Sequence, residues 1–464
     1  MDELEIRLKK IVGDQVYSSK EKITPYLSDA SYFTGDVPLA VVAPKNTYEV
    51  SRIMSLCSEM KVPVVVRGGG TSLTGGSILH GNGIVINMSR FDRIIETKIE
   101  DKYTIVEPGV RLDELNSYLE QFHHFYPPDP ASSKSATVGG SIATNAGGLR
   151  AAMYGTTKNW VLGLEVVMPD GEILIFGGRT LKRTAGYDLT SLMVGSEGTL
   201  GIITKAILKI WPIPEVKGRA VAYYQSIESV GDAVSEMKKR GIIPMIAEFI
   251  DKMTMSSITK MKGLKFPSAA NYMMIVDVAS TEESIERELQ AVAEILKMFN
   301  PIEITTTTDH TQMEIMYEAR KGAFASLLTE RNKATERVVI GDIVVPVSNL
   351  AKALSETREK MEEFGIKAGL IGHAGDGNIH ANIFADLNDV EEMERIEKFQ
   401  KEFGTIAIKN QGSVSAEHGI GMEKIDLLEY EVTANNTYGT LSLMKKIKAV
   451  FDPQNILNRG KMFK

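Results

Sequence analysis

The chain has 464 residues, of which 43% are hydrophobic and 24% charged, and a formal net charge of -7. That length exceeds what one hydrophobic core usually supports, so two or three domains are expected, and the composition is that of a chain that folds throughout. The negative balance excludes the broad basic face of a nucleic-acid binder, so any bound anion must be held locally.

The opening MDELEIRLKK is charged and amphipathic and lacks the apolar core of a signal peptide, and no later run approaches the roughly 20 apolar residues of a membrane span. The expectation is a cytoplasmic protein with no transmembrane segment, peripheral attachment to a membrane being the alternative. Leu39 to Ala43 reads as a strand, Thr47 to Met60 as a helix and Val62 to Val66 as a second strand, because Val50, Ile53, Met54, Cys57 and Met60 recur at helical spacing. Such a βαβ unit places both strands parallel in one sheet, and Asn46 with Glu49 supplies a capping box. Cys57, the single cysteine, falls on the apolar face and reads as a small buried hydrophobe. One cysteine excludes a disulfide framework and an internally ligated iron-sulfur cluster, which needs about four thiolates. Any onward electron acceptor must therefore be another molecule.

After the second strand comes Arg67-Gly68-Gly69-Gly70-Thr71-Ser72-Leu73-Thr74-Gly75-Gly76, followed by the strand-like Ile84 to Met88. This is no dinucleotide fingerprint, since the glycine order and the following helix are both missing. What remains is a glycine-dense loop whose backbone N–H groups can form a concave anion site. Two more glycine-rich stretches follow, Thr137 to Gly148 and Val194 to Ile203, where small residues allow close approach to a ligand. Prolines 212 and 214 mark a boundary, beyond which strand-like and helix-like segments alternate (Ala220 to Tyr224, Glu228 to Lys239, Met273 to Val278, Glu283 to Met298), giving a second α+β domain. The last stretch, Thr440 to Lys464, carries one helical pattern and then FDPQNILNRGK.

The segment richest in chemistry is Ala368 to Phe384, two strand-like arms around Asp376-Gly377. With those two residues as the hairpin turn, Gly375 pairs with Asn378, Ala374 with Ile379, and His373 stands opposite His380 with Cβ atoms roughly 5 Å apart. Two imidazoles at one end of a hairpin suit a divalent metal, zinc or similar, with a carboxylate as third ligand; a polar hairpin with stacked histidines is the alternative. Glu417 is the candidate carboxylate, and the adjacent His418 is free to act as a base. A metal with open positions can chelate the carboxylate and hydroxyl of a 2-hydroxy acid and acidify the hydroxyl. Arg320 offers a two-pronged clamp for the substrate carboxylate, or else is a helical surface arginine paired with Glu314, Glu318 or solvent.

Taken together, Arg67–Gly76, Val138–Gly148, the His373–His380 hairpin and Glu417-His-Gly-Ile-Gly421 resemble the FAD-linked oxidases of the vanillyl-alcohol-oxidase type. The resemblance runs in order over nearly the whole chain, and is strongest to the branch of glycolate oxidase flavin subunits, D-lactate dehydrogenases and D-2-hydroxyglutarate dehydrogenases. It implies an α+β fold with a two-subdomain FAD-binding domain at 1–215, an α+β cap with the substrate and metal site at 216–430, and a C-terminal segment at 431–464 returning to the FAD domain. It further implies that Arg67 to Gly76 cradles the FAD diphosphate. Pro128, Thr137, Gly139, Gly140, Ser141, Asn145, Gly147, Gly148, Glu197, Ile202 and Asn458 would line the rest. Thr71 stands where members with covalent flavin carry a histidine, so non-covalent FAD is expected. The same resemblance implies His373, His380 and Glu417 as metal ligands, His418 as base, Arg320 on the carboxylate, and Asn382 and Phe324 at the substrate.

The branch that handles D-2-hydroxyglutarate places a hydroxyl residue and a lysine where Phe324 and Ile340 align here. A second carboxylate would lack a partner at those positions, so the expected substrate is a small D-2-hydroxy acid, D-lactate or glycolate, with D-2-hydroxyglutarate as the alternative. A metal hydrolase explains the histidines but not the glycine loops, and a non-catalytic flavin subunit explains the loops but not the histidines. The reduced flavin is expected to pass electrons to a partner subunit, a quinone or a soluble carrier, and a homodimer is the assembly expected.

Overall fold

In the computed structural model, which describes residues 3–434 and 438–464, the helix read from apolar spacing runs over Thr47–Met60. The Asn46 side chain accepts from Glu49 N at 2.9 Å. The Glu49 carboxylate reaches back one residue further than expected, accepting from Lys45 N at 2.8 Å. Strands Ala40–Val42 and Val64–Arg67 lie parallel in one sheet, as expected of a βαβ unit, with Ile84–Asn87 between them. Cys57 is fully buried in the core between helix and sheet, and burial pushes its thiol up to about 12.

The chain divides into two units, Met1–Gly147 with Thr156–Ile213 and Glu417–Lys464, and Gly148–Gly155 with Pro214–Ala416. Besides the four-stranded sheet, the first unit holds an antiparallel sheet ordered Ile94–Lys98, Tyr103–Val106, Ile202–Lys209, Val161–Val167, Ile173–Gly177. The C-terminal segment adds to the first sheet: Val64 N donates to Ile456 O and Asn458 N to Val64 O, both at 2.8 Å. The second unit is built on seven antiparallel strands, ordered Glu303–Thr307, Val216–Tyr224, Tyr272–Ser280, Ile246–Asp251, Ala368–His373, Asn378–Asp386, Glu336–Val344.

The break near the prolines falls at Ile213/Pro214, two residues before the expected 215/216. The later break falls at Ala416/Glu417 rather than at 430, so Glu417 and His418 belong to the first unit. The reason is local hydrogen bonding: Ile420 N and Gly421 N donate to the Glu197 carboxylate at 2.7 Å each, and Met422 N donates to Thr74 O at 2.8 Å. Gly148 joins the second unit, within the short segment Gly148–Gly155. Among the described residues, no helix is long and apolar enough to cross a membrane.

Candidate active site

Each unit carries part of the residue set singled out in the sequence. In the first unit the glycine loop leaves the end of strand Val64–Arg67. Gly68 and Gly69 are required by packing: a Cβ on Gly69 would lie 2.1 Å from Ser135 O, and one on Gly68 2.3 Å from Thr137 Oγ1. Ser72 Oγ accepts from Gly76 N at 2.9 Å, which closes the loop beyond Thr71 on itself. Gly70 and Gly75 adopt φ values of +66° and +74°, a region that favours glycine. Arg67 is engaged within the protein, its Nη1 donating to Ser28 O at 2.7 Å and its guanidinium lying over the Tyr26 ring; burial lowers its pKa.

Thr137 caps a short helix, Val138–Thr144, that contains Gly139, Gly140 and Ser141. The helix ends at Asn145 in a left-handed conformation, and the Asn145 side chain accepts from Thr156 Oγ1 and Lys158 N at 2.9 Å each. Pro128 lies in the buried run 125–129. Gly147 faces Glu417, whose Oε2 would sit 2.7 Å from an added Cβ. His418 O accepts from Thr74 Oγ1 at 3.3 Å, and His418 Nε2 lies 3.8 Å from Glu417 Oε1.

Ile202 opens a strand of the antiparallel sheet. Five residues earlier, Glu197 is buried with φ +52°, and desolvation raises its pKa against the pull of the two N–H groups it binds. Asn458 Nδ2 donates to Gly76 O at 3.0 Å and Glu197 O at 2.6 Å. Two buried polar atoms here have no hydrogen-bond partner among the described residues, Asn458 Oδ1 and Lys461 Nζ. Buried groups of that kind are normally satisfied, and a donor and an acceptor beside the glycine loop fit a flavin nucleotide.

In the second unit the histidine hairpin departs from the expected register. His380 stands opposite Ile371, and His373 opposite Glu248 of the neighbouring strand. The turn is longer than Asp376-Gly377, because Ala374–Asp376 form a 3-10 turn closed by Gly377 at φ +80°. His373 and His380 still share a face, since Ile371 and His373 are two residues apart on one strand. Their rings meet edge to face with centroids 5.3 Å apart.

Two carboxylates that sequence reasoning missed stand behind this pair. His373 Nδ1 lies 2.6 Å from Glu248 Oε1, and His380 Nδ1 lies 3.5 Å from Asp342 Oδ1. The Glu248 carboxylate hydrogen-bonded at Nδ1 of His373 holds the proton there and leaves Nε2 as the ligating atom, and with His380 beside it the donor set fits a divalent metal. The signal was a single acid inside each of two apolar runs, Met245-Ile-Ala-Glu-Phe-Ile250 and Val338-Val-Ile-Gly-Asp-Ile-Val344. Arg320 is 4% exposed and pairs through Nη2 with Glu248 Oε2, so the alternative of a surface arginine is overturned. Asn382 is buried, donating to Gly369 O at 3.1 Å, and Phe324 is half-buried on the short helix Ala323–Leu327.

Residues 38–177 match the family described as FAD binding domain, and residues 213–462 the family described as FAD linked oxidases, C-terminal domain. The chain belongs to the FAD-linked oxidases. It is 38% identical to glycolate oxidase subunit GlcD of Bacillus subtilis (strain 168), over 94% of this chain and 92% of that one. It is 32% identical to the mitochondrial D-lactate dehydrogenase [cytochrome] of Arabidopsis thaliana, over 99% of this chain and 80% of that one. Among solved structures it is similar to p-cresol methylhydroxylase with substrate bound, at TM-score 0.80 and 18% identity over 99% of this chain and 96% of that one. Alkyldihydroxyacetonephosphate synthase follows at TM-score 0.76 and 18% identity, over 99% of this chain and 85% of that one. These structures establish the fold as the vanillyl-alcohol-oxidase type, and the family establishes an FAD-dependent oxidoreductase.

The packing of Gly69 against Ser135 yields a direct expectation. Gly69→Ala forces backbone apart, at a cost of about 1–3 kcal/mol for overpacking of this kind. The variant should purify with substoichiometric flavin by visible absorbance, whereas full flavin content would show that the loop tolerates the shift.

Proposed function

We propose that this protein oxidises a short D-2-hydroxy acid, D-lactate or glycolate, to the 2-keto acid, using non-covalently bound FAD and a divalent metal such as zinc. The observation that carries the reading is the buried line Arg320, Glu248, His373 beside His380. A buried arginine next to two imidazoles suits a small carboxylate held at a metal. The names of the relatives, glycolate oxidase and D-lactate dehydrogenase, support the same substrate class.

His373 and His380 offer Nε2 to the metal, and Glu417 supplies the third ligand. Support for Glu417 comes from the chain itself: Ala416 N donates to Asp342 Oδ2 at 3.0 Å, Asp342 is the carboxylate beside His380, and Glu417 is the next residue. When bound, the metal supplies Lewis acidity to the substrate hydroxyl, and FAD supplies a two-electron acceptor for the hydride on C2. Arg320 orients the substrate by its carboxylate, and Asn382 stands on the strand that carries His380. His418 takes the hydroxyl proton, so the proton and the hydride leave to different places.

Phe324 and Ile340 offer no cation to a second carboxylate, which supports a monocarboxylate over D-2-hydroxyglutarate. Thr71 in place of a histidine supports non-covalent flavin. The lone Cys57 is buried, so reoxidation falls to a separate acceptor: a partner subunit, a quinone or a soluble carrier.

His418→Asn should retain FAD yet slow flavin reduction by substrate about a hundredfold in anaerobic stopped flow; an unchanged rate would remove His418 as the base. Glu248→Gln, which leaves the His373 imidazole without its anionic partner, should weaken metal binding about 10–100-fold in a competition titration with a chelator. Wild-type affinity in that variant would exclude Glu248 as the group that sets the ligating tautomer.

A further inference from the structure

Lys461 is 2% exposed, and its ammonium has no hydrogen-bond partner among the described residues. Three residues earlier, the buried Asn458 leaves Oδ1 equally unsatisfied. The amide's orientation follows from its other end: Nδ2 faces two carbonyls, Gly76 O and Glu197 O, and carbonyls only accept. The turn holding both residues is pinned to the strand that opens the glycine loop, by Asn458 N donating to Val64 O, and it carries φ +39° at Asn458 and +75° at Gly460. Burial pushes the Lys461 ammonium down to about 8, although the carboxylates of Asp29, Glu197 and Asp36 pull the other way. Lys424 is the further charged group acting on Glu197.

An isolated ammonium buried in a protein is costly unless a counter-group meets it. We propose that Lys461 and Asn458 grip the pyrimidine edge of the bound flavin, Lys461 donating to N1–C2=O and Asn458 Oδ1 accepting from N3–H. The diphosphate is the anionic group of oxidised FAD, but it offers acceptors only and would leave Asn458 Oδ1 unsatisfied. The surroundings point the same way. Met462 N donates to Gly421 O at 3.1 Å, and Glu197 holds Ile420 N and Gly421 N, so the turn adjoins the segment that follows His418. The assignment rests on FAD binding and, for the end of the cofactor concerned, on His418 as base; the identity of the hydroxy acid does not enter.

Two-electron reduction of the flavin adds two electrons and one proton at N5, and leaves a negative charge on N1–C2=O. A fixed ammonium at that edge stabilises the reduced form where its charge develops. The FAD-loaded protein is reduced with dithionite against a reference dye, which requires no substrate. Lys461→Met should retain FAD while its equilibrium constant for reduction falls about a hundredfold, about 59 mV more negative for a two-electron couple. Its midpoint should also steepen with pH from one proton per two electrons toward two, and Lys461→Arg should behave as wild type. An unchanged potential and slope in Lys461→Met would overturn the proposal. Loss of FAD from both Lys461→Met and Lys461→Gln would assign the charge to the phosphates and overturn it as well.

Discussion

Glu197 is buried in a left-handed backbone conformation, and its carboxylate accepts from Ile420 N and Gly421 N while its carbonyl accepts from Asn458. A carboxylate out of water is costly unless donors replace its hydration, and here the donors come from chain more than two hundred residues further on. Gly419 makes the contact possible, at φ +80° and with room for no Cβ, which would lie 2.8 Å from Glu197 Oε1. Three segments of the first unit are thereby tied together: the turn before strand Ile202–Lys209, the segment Glu417–Gly421, and the C-terminal turn at Asn458. His418 and the unsatisfied atoms of Asn458 and Lys461 owe their placement to this node.

The second unit uses buried carboxylates differently. Glu248 serves two cations or proton donors at once, the Arg320 guanidinium and the His373 imidazole. Asp342 accepts from Asn378 Nδ2, Ser415 Oγ and Ala416 N beside His380. Buried ion pairs contribute little net stability, because desolvation offsets their attraction. Their concentration on one face of one sheet is the arrangement expected of groups that position ligands, with stability resting on the apolar layers around them.

Much of the fold was legible because local periodicity decides it. Thr47–Met60 was delimited to the residue, and the strands flanking it were placed in one parallel sheet. The hairpin shows where local rules stop. Asp-Gly suggested a two-residue turn, yet Gly377 packs against Val345, just past the strand Glu336–Val344, its missing Cβ 1.9 Å from Val345 O, and the 3-10 turn Ala374–Asp376 shifts the register. The two histidines could be paired from sequence; the residues opposite them could not. Glu248 and Asp342 escaped notice because their partners lie 125 and 38 positions away, the second separation counted from Asp342 to His380. The break at Ala416/Glu417 was hidden for the same reason, since only the bonds to Glu197 and Thr74 reveal it.

The most direct test of the proposed chemistry is an anaerobic titration of the FAD-loaded, metal-loaded protein with D-lactate, glycolate, L-lactate and D-2-hydroxyglutarate, followed by the visible absorbance of the flavin. Bleaching by D-lactate or glycolate, with one equivalent of 2-keto acid formed per flavin, is the expected result. A flavin that stays oxidised with all four acids, while dithionite still reduces it, would contradict a 2-hydroxy-acid oxidoreductase.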